Sequence, residues 1–294
     1  MPRQRRLIRP VVPLAAGVLL AWLTACGGSG PTVAPTTPAT PTTTIAPPPA
    51  SEAPPSSEGG VFPAGEPVDL VYISNSAGIG VAKKYGKLAG EALGREVRVH
   101  DHTGMGSLTQ LLRLVKSSLA DDVAGAEIIV VFGDGGDLVD ALPRPNILTC
   151  IEAPGDPGSE WETPVVPTVE DWRAYRDVWD QMYDEIWDLR EGRPTILRAQ
   201  DVWNPFLAQW REAGIEPECT ATWEIQTQVV REAAKANNAV FVSVFDVFNG
   251  PNHDEDVVAK GWIGDDGIHP NDRGRAAIAE ALAAVGFEAS EPPR

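Results

Sequence analysis

Val68-Asp69-Leu70-Val71-Tyr72-Ile73-Ser74 runs directly into Asn75-Ser76-Ala77-Gly78-Ile79-Gly80, and the change of pattern between the two decides the fold. The first seven residues are rich in β-branched and aromatic side chains, as a buried strand requires, and they stop at small polar residues. Beyond the turn, Val81, Tyr85, Leu88, Ala89 and Ala92 recur at helical spacing. The unit is therefore strand, turn, helix, and the chain repeats it. A second strand is expected over 97–100, a helix over 108–119 and a fully apolar third strand over 128–132 that ends at Gly133. A fourth strand is expected over 195–197, a helix over 226–236, a fifth strand over 239–244 and a last helix over 272–284. Alternating units of this kind imply a three-layer α/β/α domain, flavodoxin-like, with a mostly parallel five-stranded sheet. In such sheets the functional residues sit beyond the carboxyl ends of the strands.

A longer, helix-bearing insertion is expected over about 150–225. Within it, Thr168-Val169-Glu170-Asp171 resembles a capping box with Asp in the place of Glu or Gln. After it Trp172, Tyr175, Trp179, Met182, Tyr183, Ile186 and Trp187 mark one face of a long helix. That stripe suits either a core face or a substrate wall.

The chain outside this domain has its own signals. Arg3, Arg5, Arg6 and Arg9 precede an apolar run of 13 residues, Val11 to Leu23, which at 1.5 Å per residue covers about 20 Å of a hydrocarbon core of about 30 Å. This reads as a signal peptide over 1–25, ending in Leu23-Thr24-Ala25-Cys26, which looks like a bacterial lipobox with Cys26 as the lipidated residue. Residues 26–60 then form a linker, with nine Pro and seven Thr between Pro31 and Pro55, too polar and Pro-rich to build a core. Residues 61–294 remain as one domain. Removing the four leader arginines, and no acid, from a net charge of −17 leaves −21. An acidic chain without a basic patch is not expected to bind nucleic acid.

Two strand-end segments carry residues able to do chemistry. In Ser74-Asn75-Ser76 a serine at a helix start combines an exposed hydroxyl with free backbone N–H groups, the parts of a nucleophile and half an oxyanion hole; Ser and Asn also serve there as ordinary caps. Near the C-terminus, Asp265-Asp266-Gly267-Ile268-His269-Pro270-Asn271-Asp272 places a His three residues after an Asp. A carboxylate so placed holds one imidazole nitrogen while the other faces outward as a base. Asn271 or Asp272 suits the cap of the last helix.

On these residues the sequence resembles the SGNH (GDSL-like) hydrolase family through most of 68–286. Asp266-Gly267-Ile268-His269-Pro270-Asn271, with Gly274 and Ala281-Leu282, matches the family's last block. Ser74-Asn75-Ser76 with Gly80 matches the first, a register that selects Ser76 over Ser74 as nucleophile and puts Asn75 where the family has Asp. The second block implies a glycine backbone donor, Gly106, with Gly104 as the alternative. The third departs: Gly133-Asp134-Gly135-Gly136-Asp137 lacks the family's asparagine donor, and a carboxylate at Asp134 repels an oxyanion unless protonated. The resemblance implies a serine esterase with catalytic Ser76, Asp266 and His269 and an oxyanion hole of the Ser76 and Gly106 amides, and the lipobox reading makes it membrane-tethered and extracytoplasmic. Its substrates would be small acyl or lipid esters or O-acetylated glycans. The alternative is an SGNH-fold module that binds cell-envelope glycan or lipid with weak or no turnover.

Cys150 and Cys219 are the cysteines left after the anchor, and an exported domain meets an oxidising environment, so they are expected either as a disulfide or as two buried thiols. His100, His102 and His253 show no metal-ligand spacing, and neither a metal nor another cofactor is expected. A monomer is expected.

Overall fold

The computed structural model describes Phe62 and residues 65–104, 106–133 and 167–293. The leader, the linker and residues 134–166 lie outside the described residues, and with them Cys26, Asp134 and Cys150. Strand β1 (Val68–Ser74) leads through a 3-10 turn (Ser76–Gly78) into helix α1 (Val81–Leu93). There follow β2 (Val97–His102), α2 (Leu108–Val115), α3 (Ala120–Gly125) and β3 (Ile128–Phe132). After them come α4 (Val169–Arg190), β4 (Ile196–Gln200), α5 (Leu207–Ala213), α6 (Glu216–Ala236), β5 (Val240–Val242), α7 (Val244–Asn249) and α8 (Asp272–Ala284).

The five strands form one sheet in the order β2-β1-β3-β4-β5, and every pairing is parallel. Parallel strands force crossover helices onto the faces, so the strands are buried on both sides and read as continuous apolar runs. One face of β1 and β3 (Leu70, Tyr72, Val130, Phe132) packs in a cluster with α1, α8 and the Trp203–Trp210–Trp223 group. The other (Val71, Ile73, Ile129, Val131) packs under α2 and α4. The three-layer α/β/α expectation holds.

Several boundaries differ from the sequence reading. The helix expected over 108–119 stops at Val115, because the chain turns at Lys116–Leu119, where Leu119 N bonds back to Leu114 O, and a separate helix follows from Ala120. α6 begins ten residues before the expected start, its apolar periodicity diluted by Pro217, Thr220 and Thr222. α4 is a layer helix of the domain and not an appended insertion. Its aromatic stripe is core: Tyr175, Trp179, Met182, Tyr183 and Ile186 are buried, with Trp179 stacked on Tyr183 at 5.8 Å. Thr168 and Asp171 form the reciprocal capping box, the shorter Asp still reaching the Thr168 N–H at 2.8 Å.

The order β2-β1-β3 makes the end of β1 a topological switch point, since the chain leaves β1 toward one side for β2 and returns on the other as β3. The carboxyl ends of β2 and β3 therefore flank the turn that carries Ser76.

Candidate active site

The turn after β1 is built by its own polar side chains. Asn75 caps it, its Oδ1 accepting the Ala77 N–H at 3.0 Å, while Gly78 N and Ile79 N close back onto the carbonyls of Asn75 and Ser76. Ser74 is fully buried and donates to the Asn75 carbonyl at 2.8 Å. Ser76 is exposed. The two serines are thus separated in role: one locks the turn and the other presents its hydroxyl.

The second half of the site is the turn before α8. Gly264 N donates to His269 O at 2.8 Å and Asn271 N to Trp262 O at 2.9 Å, so residues 262–271 fold back on themselves. Gly267 allows this with φ of 74°. Asn271, not Asp272, caps α8: its Oδ1 accepts from Arg273 N and Gly274 N. Its Nδ2 donates to the carbonyls of Gly261 and Ile263. Trp203, in the loop after β4, donates its indole N–H to the Ile268 carbonyl at 3.1 Å and stacks on Phe248 at 5.1 Å.

These two segments, 193 residues apart in sequence, meet. His269 Nε2 lies 2.9 Å from Ser76 Oγ, and His269 Nδ1 lies 2.7 Å from Asp266 Oδ2. With the neutral imidazole, Nδ1–H donates to Asp266 and the serine hydroxyl donates to Nε2, the arrangement a general base needs. The other Asp266 oxygen accepts the amides of Ile268 at 3.0 Å and His269 at 2.9 Å. Those two amides, followed by the imidazole, hold the Asp266 carboxyl down to about 2. It is therefore ionised at neutral pH. Ile79 and Ile268, close in sequence to Ser76 and His269, are about half exposed, at 47% and 43%.

Gly106 lies in the loop after β2, directly before Ser107, the cap of α2. Its φ of 31° strains any side chain there, and a β carbon would displace Gln110 Oε1 from the Ser107 N–H. Gly104, the alternative donor, has φ of 89° in the same loop. Gly133 closes β3, its carbonyl accepting the Tyr175 hydroxyl at 3.2 Å, and a β carbon there would meet Leu108 at 2.6 Å.

The remaining histidines lie apart from this site. His100 and His102 on β2 contact Asp69 (3.1 Å) and Asp122 (2.7 Å) respectively, and His253 sits between Asp246 and Glu224, stacked on Phe245. Among the described residues no three His, Cys, Asp or Glu side chains are grouped as metal ligands. Also among them, no helix is long and apolar enough to cross a membrane.

No family model matches the chain, and no curated protein sequence matches it significantly. Solved structures do. The chain is similar to the lipase Lip_vut3 from a goat rumen metagenome, with 18% identity and a TM-score of 0.54 over 75% of this chain and 98% of that one. It is similar also to an extracellular lipase from Streptomyces rimosus, with 14% identity and a TM-score of 0.50 over 74% and 99% of the two chains. The shared fold is the five-stranded parallel α/β/α domain, spanning nearly the whole of both lipases.

Proposed function

We propose that the domain is a serine ester hydrolase of the SGNH type. The observation that carries the reading is the Asp266–His269–Ser76 chain of contacts at 2.7 and 2.9 Å at the switch point of the sheet. In the reaction, Ser76 Oγ attacks the ester carbonyl carbon as His269 Nε2 takes its proton, and Asp266 fixes the tautomer and stabilises the imidazolium. The amides of Ser76 and Gly106 receive the oxyanion. Collapse expels the alcohol, which takes the proton from His269. Water activated by the same nitrogen then hydrolyses the acyl-enzyme. The exposed Ile79 and Ile268 support acyl chains or lipid esters as substrates.

Losing one oxyanion donor costs about 10²–10³ in rate. With the family's asparagine donor missing from Gly133-Asp134-Gly135-Gly136-Asp137, turnover is therefore expected to be slow. That same loss favours the second reading, a module that binds envelope glycan or lipid. The deciding experiment is fluorophosphonate labelling with a panel of short-chain nitrophenyl esters. Ser76→Ala should abolish labelling and hydrolysis, and Ser74→Ala should leave the labelling in place. The absence of both labelling and hydrolysis in folded wild-type protein would overturn the esterase reading and favour the binding module.

The domain is further read as a lipoprotein tethered through Cys26 by the 26–60 linker, which incorporation of labelled fatty acid tests. The Cys150–Cys219 disulfide is supported by Cys219, which is fully buried on α6 and disulfide-bonded. Intact mass with and without reduction checks the pairing.

A further inference from the structure

Arg275 stands one turn into α8, close behind the segment that carries His269, and leans on the other half of the site. A β carbon placed on Gly80 would lie 3.2 Å from its Cδ and 3.5 Å from both Nε and one terminal nitrogen. Gly80 closes the turn that begins at Ser76 and itself requires glycine, with φ of 81°. The guanidinium is thus held against the turn of the nucleophile, and its Nε is buried without a hydrogen-bond partner among the described residues. An arginine normally spends such donors on a carboxylate or a phosphate.

The neighbouring acids are already engaged. Asp272 pairs with Lys84 at 2.7 Å, and the Lys84 hydrogen bond, the Lys84 charge and then Arg275 through space hold its carboxyl below the usual range. Asp266 is filled by His269 and two amides. Arg275 and Lys84 face the carboxylates of Asp272 and Asp266, yet among the described residues the Arg275 side chain makes no hydrogen bond or ion pair and acts on Asp272 only through space.

We propose that Arg275 docks an anionic group of the substrate, so that the preferred ester carries a carboxylate or phosphate close to the scissile bond. The inference rests on the esterase reading and narrows its substrate class. Its recognition is bidentate or charge-assisted hydrogen bonding from the guanidinium, with Lys84 adding charge from α1.

Two matched pairs test it, one with the anion on the acyl side and one with it on the alcohol side. These are 4-nitrophenyl hydrogen glutarate against 4-nitrophenyl hexanoate, and 1-butyrylglycerol 3-phosphate against 1-butyrylglycerol. The wild-type protein should favour the charged member of at least one pair by about tenfold or more in kcat/KM, and the favoured pair identifies carboxylate or phosphate as the group bound. Arg275→Gln should bring that ratio to about one, and Arg275→Lys should retain part of it. A variant that is merely less well folded loses rate on both members and keeps the ratio. Equal rates on charged and neutral esters in the wild type, or a ratio unmoved by Arg275→Gln, would overturn the anionic-substrate proposal and leave the esterase reading standing. Hydrolysis of neither member of either pair by folded protein would overturn both.

Discussion

Gly78 is the residue on which the position of the nucleophile turns. A β carbon there would fall 1.9 Å from Ser74 Oγ and 2.9 Å from a ring carbon of Tyr72. Neither can yield easily: Ser74 is fully buried and Tyr72 is pinned by its hydroxyl bond to Gln200 at 2.9 Å. Gly78→Ala is therefore expected to displace the Ser76 turn, lowering the fluorophosphonate labelling rate at least tenfold and stability by about 1–3 kcal/mol. Labelling at the wild-type rate would show that this packing does not place the hydroxyl. The requirement is invisible in the local string, where Gly78 is one of two turn glycines. It arises because the strand brings Tyr72 and Ser74 up beneath the turn.

Among the elements, α8 and the loop before it behave as one piece held by Asn271. Its carboxamide caps two helical amides and donates to two loop carbonyls. Asn271→Ala removes all four bonds, and the expected loss is about 2 kcal/mol in chemical denaturation, with a fall in esterase rate because His269 lies two residues away. Asn271→Asp keeps the cap acceptor but turns an oxygen toward the Gly261 and Ile263 carbonyls, so it should do no better than alanine. If Asn271→Asp is as stable as the wild type, the loop carbonyls are not what the side chain secures. The start of α8 was legible in the sequence because a cap acts through its immediate neighbours. α5 and α7 were not, because seven and six residues are too short for a helical period to stand out. Trp203 gave no signal either, since its donation to Ile268 O spans 65 residues.

At the scale of the whole molecule, a built-in pH response comes from Asp201, directly after β4. It is buried and accepts from the Val244 and Phe245 amides and the Thr227 and Ser243 hydroxyls. Burial pushes its carboxyl up to about 7, and the hydrogen bonds only partly counter this. The folded-state value exceeds the unfolded one of about 3.9, so its contribution to stability is fully present below about pH 4, is lost as the pH rises through 7 and is constant above. The difference corresponds to up to about 4 kcal/mol. Urea denaturation should show a less stable protein at pH 8 than at pH 5, and Asp201→Asn should flatten that slope. In the opposite sense Asp69 contributes stability that is lost on acidification. Its burial acts upward, but bonds from Arg98 and His100 outweigh it and lower its carboxyl. A wild-type protein equally stable at pH 5 and 8 would mean that Asp201 is ionised throughout, held by its four donors.

The sequence by itself determined the fold class, because buried parallel strands must be continuously apolar and the helices that cross between them must be amphipathic. It also pointed to Asp266 and His269, since their turn residues lie within a few positions of them, and to Ser76 over Ser74 through the register of the SGNH resemblance. The tertiary structure decided what depends on distant segments meeting: that Ser74 is buried and Ser76 exposed, that the α4 aromatic stripe is core, and that His269 reaches Ser76. It decided too that Trp203 and Asn271 hold the histidine turn and that Arg275 stands against Gly80. Those outcomes come from the packing of α1 against α8 and of β4 between its neighbours. Local propensity and spacing carry no record of such contacts.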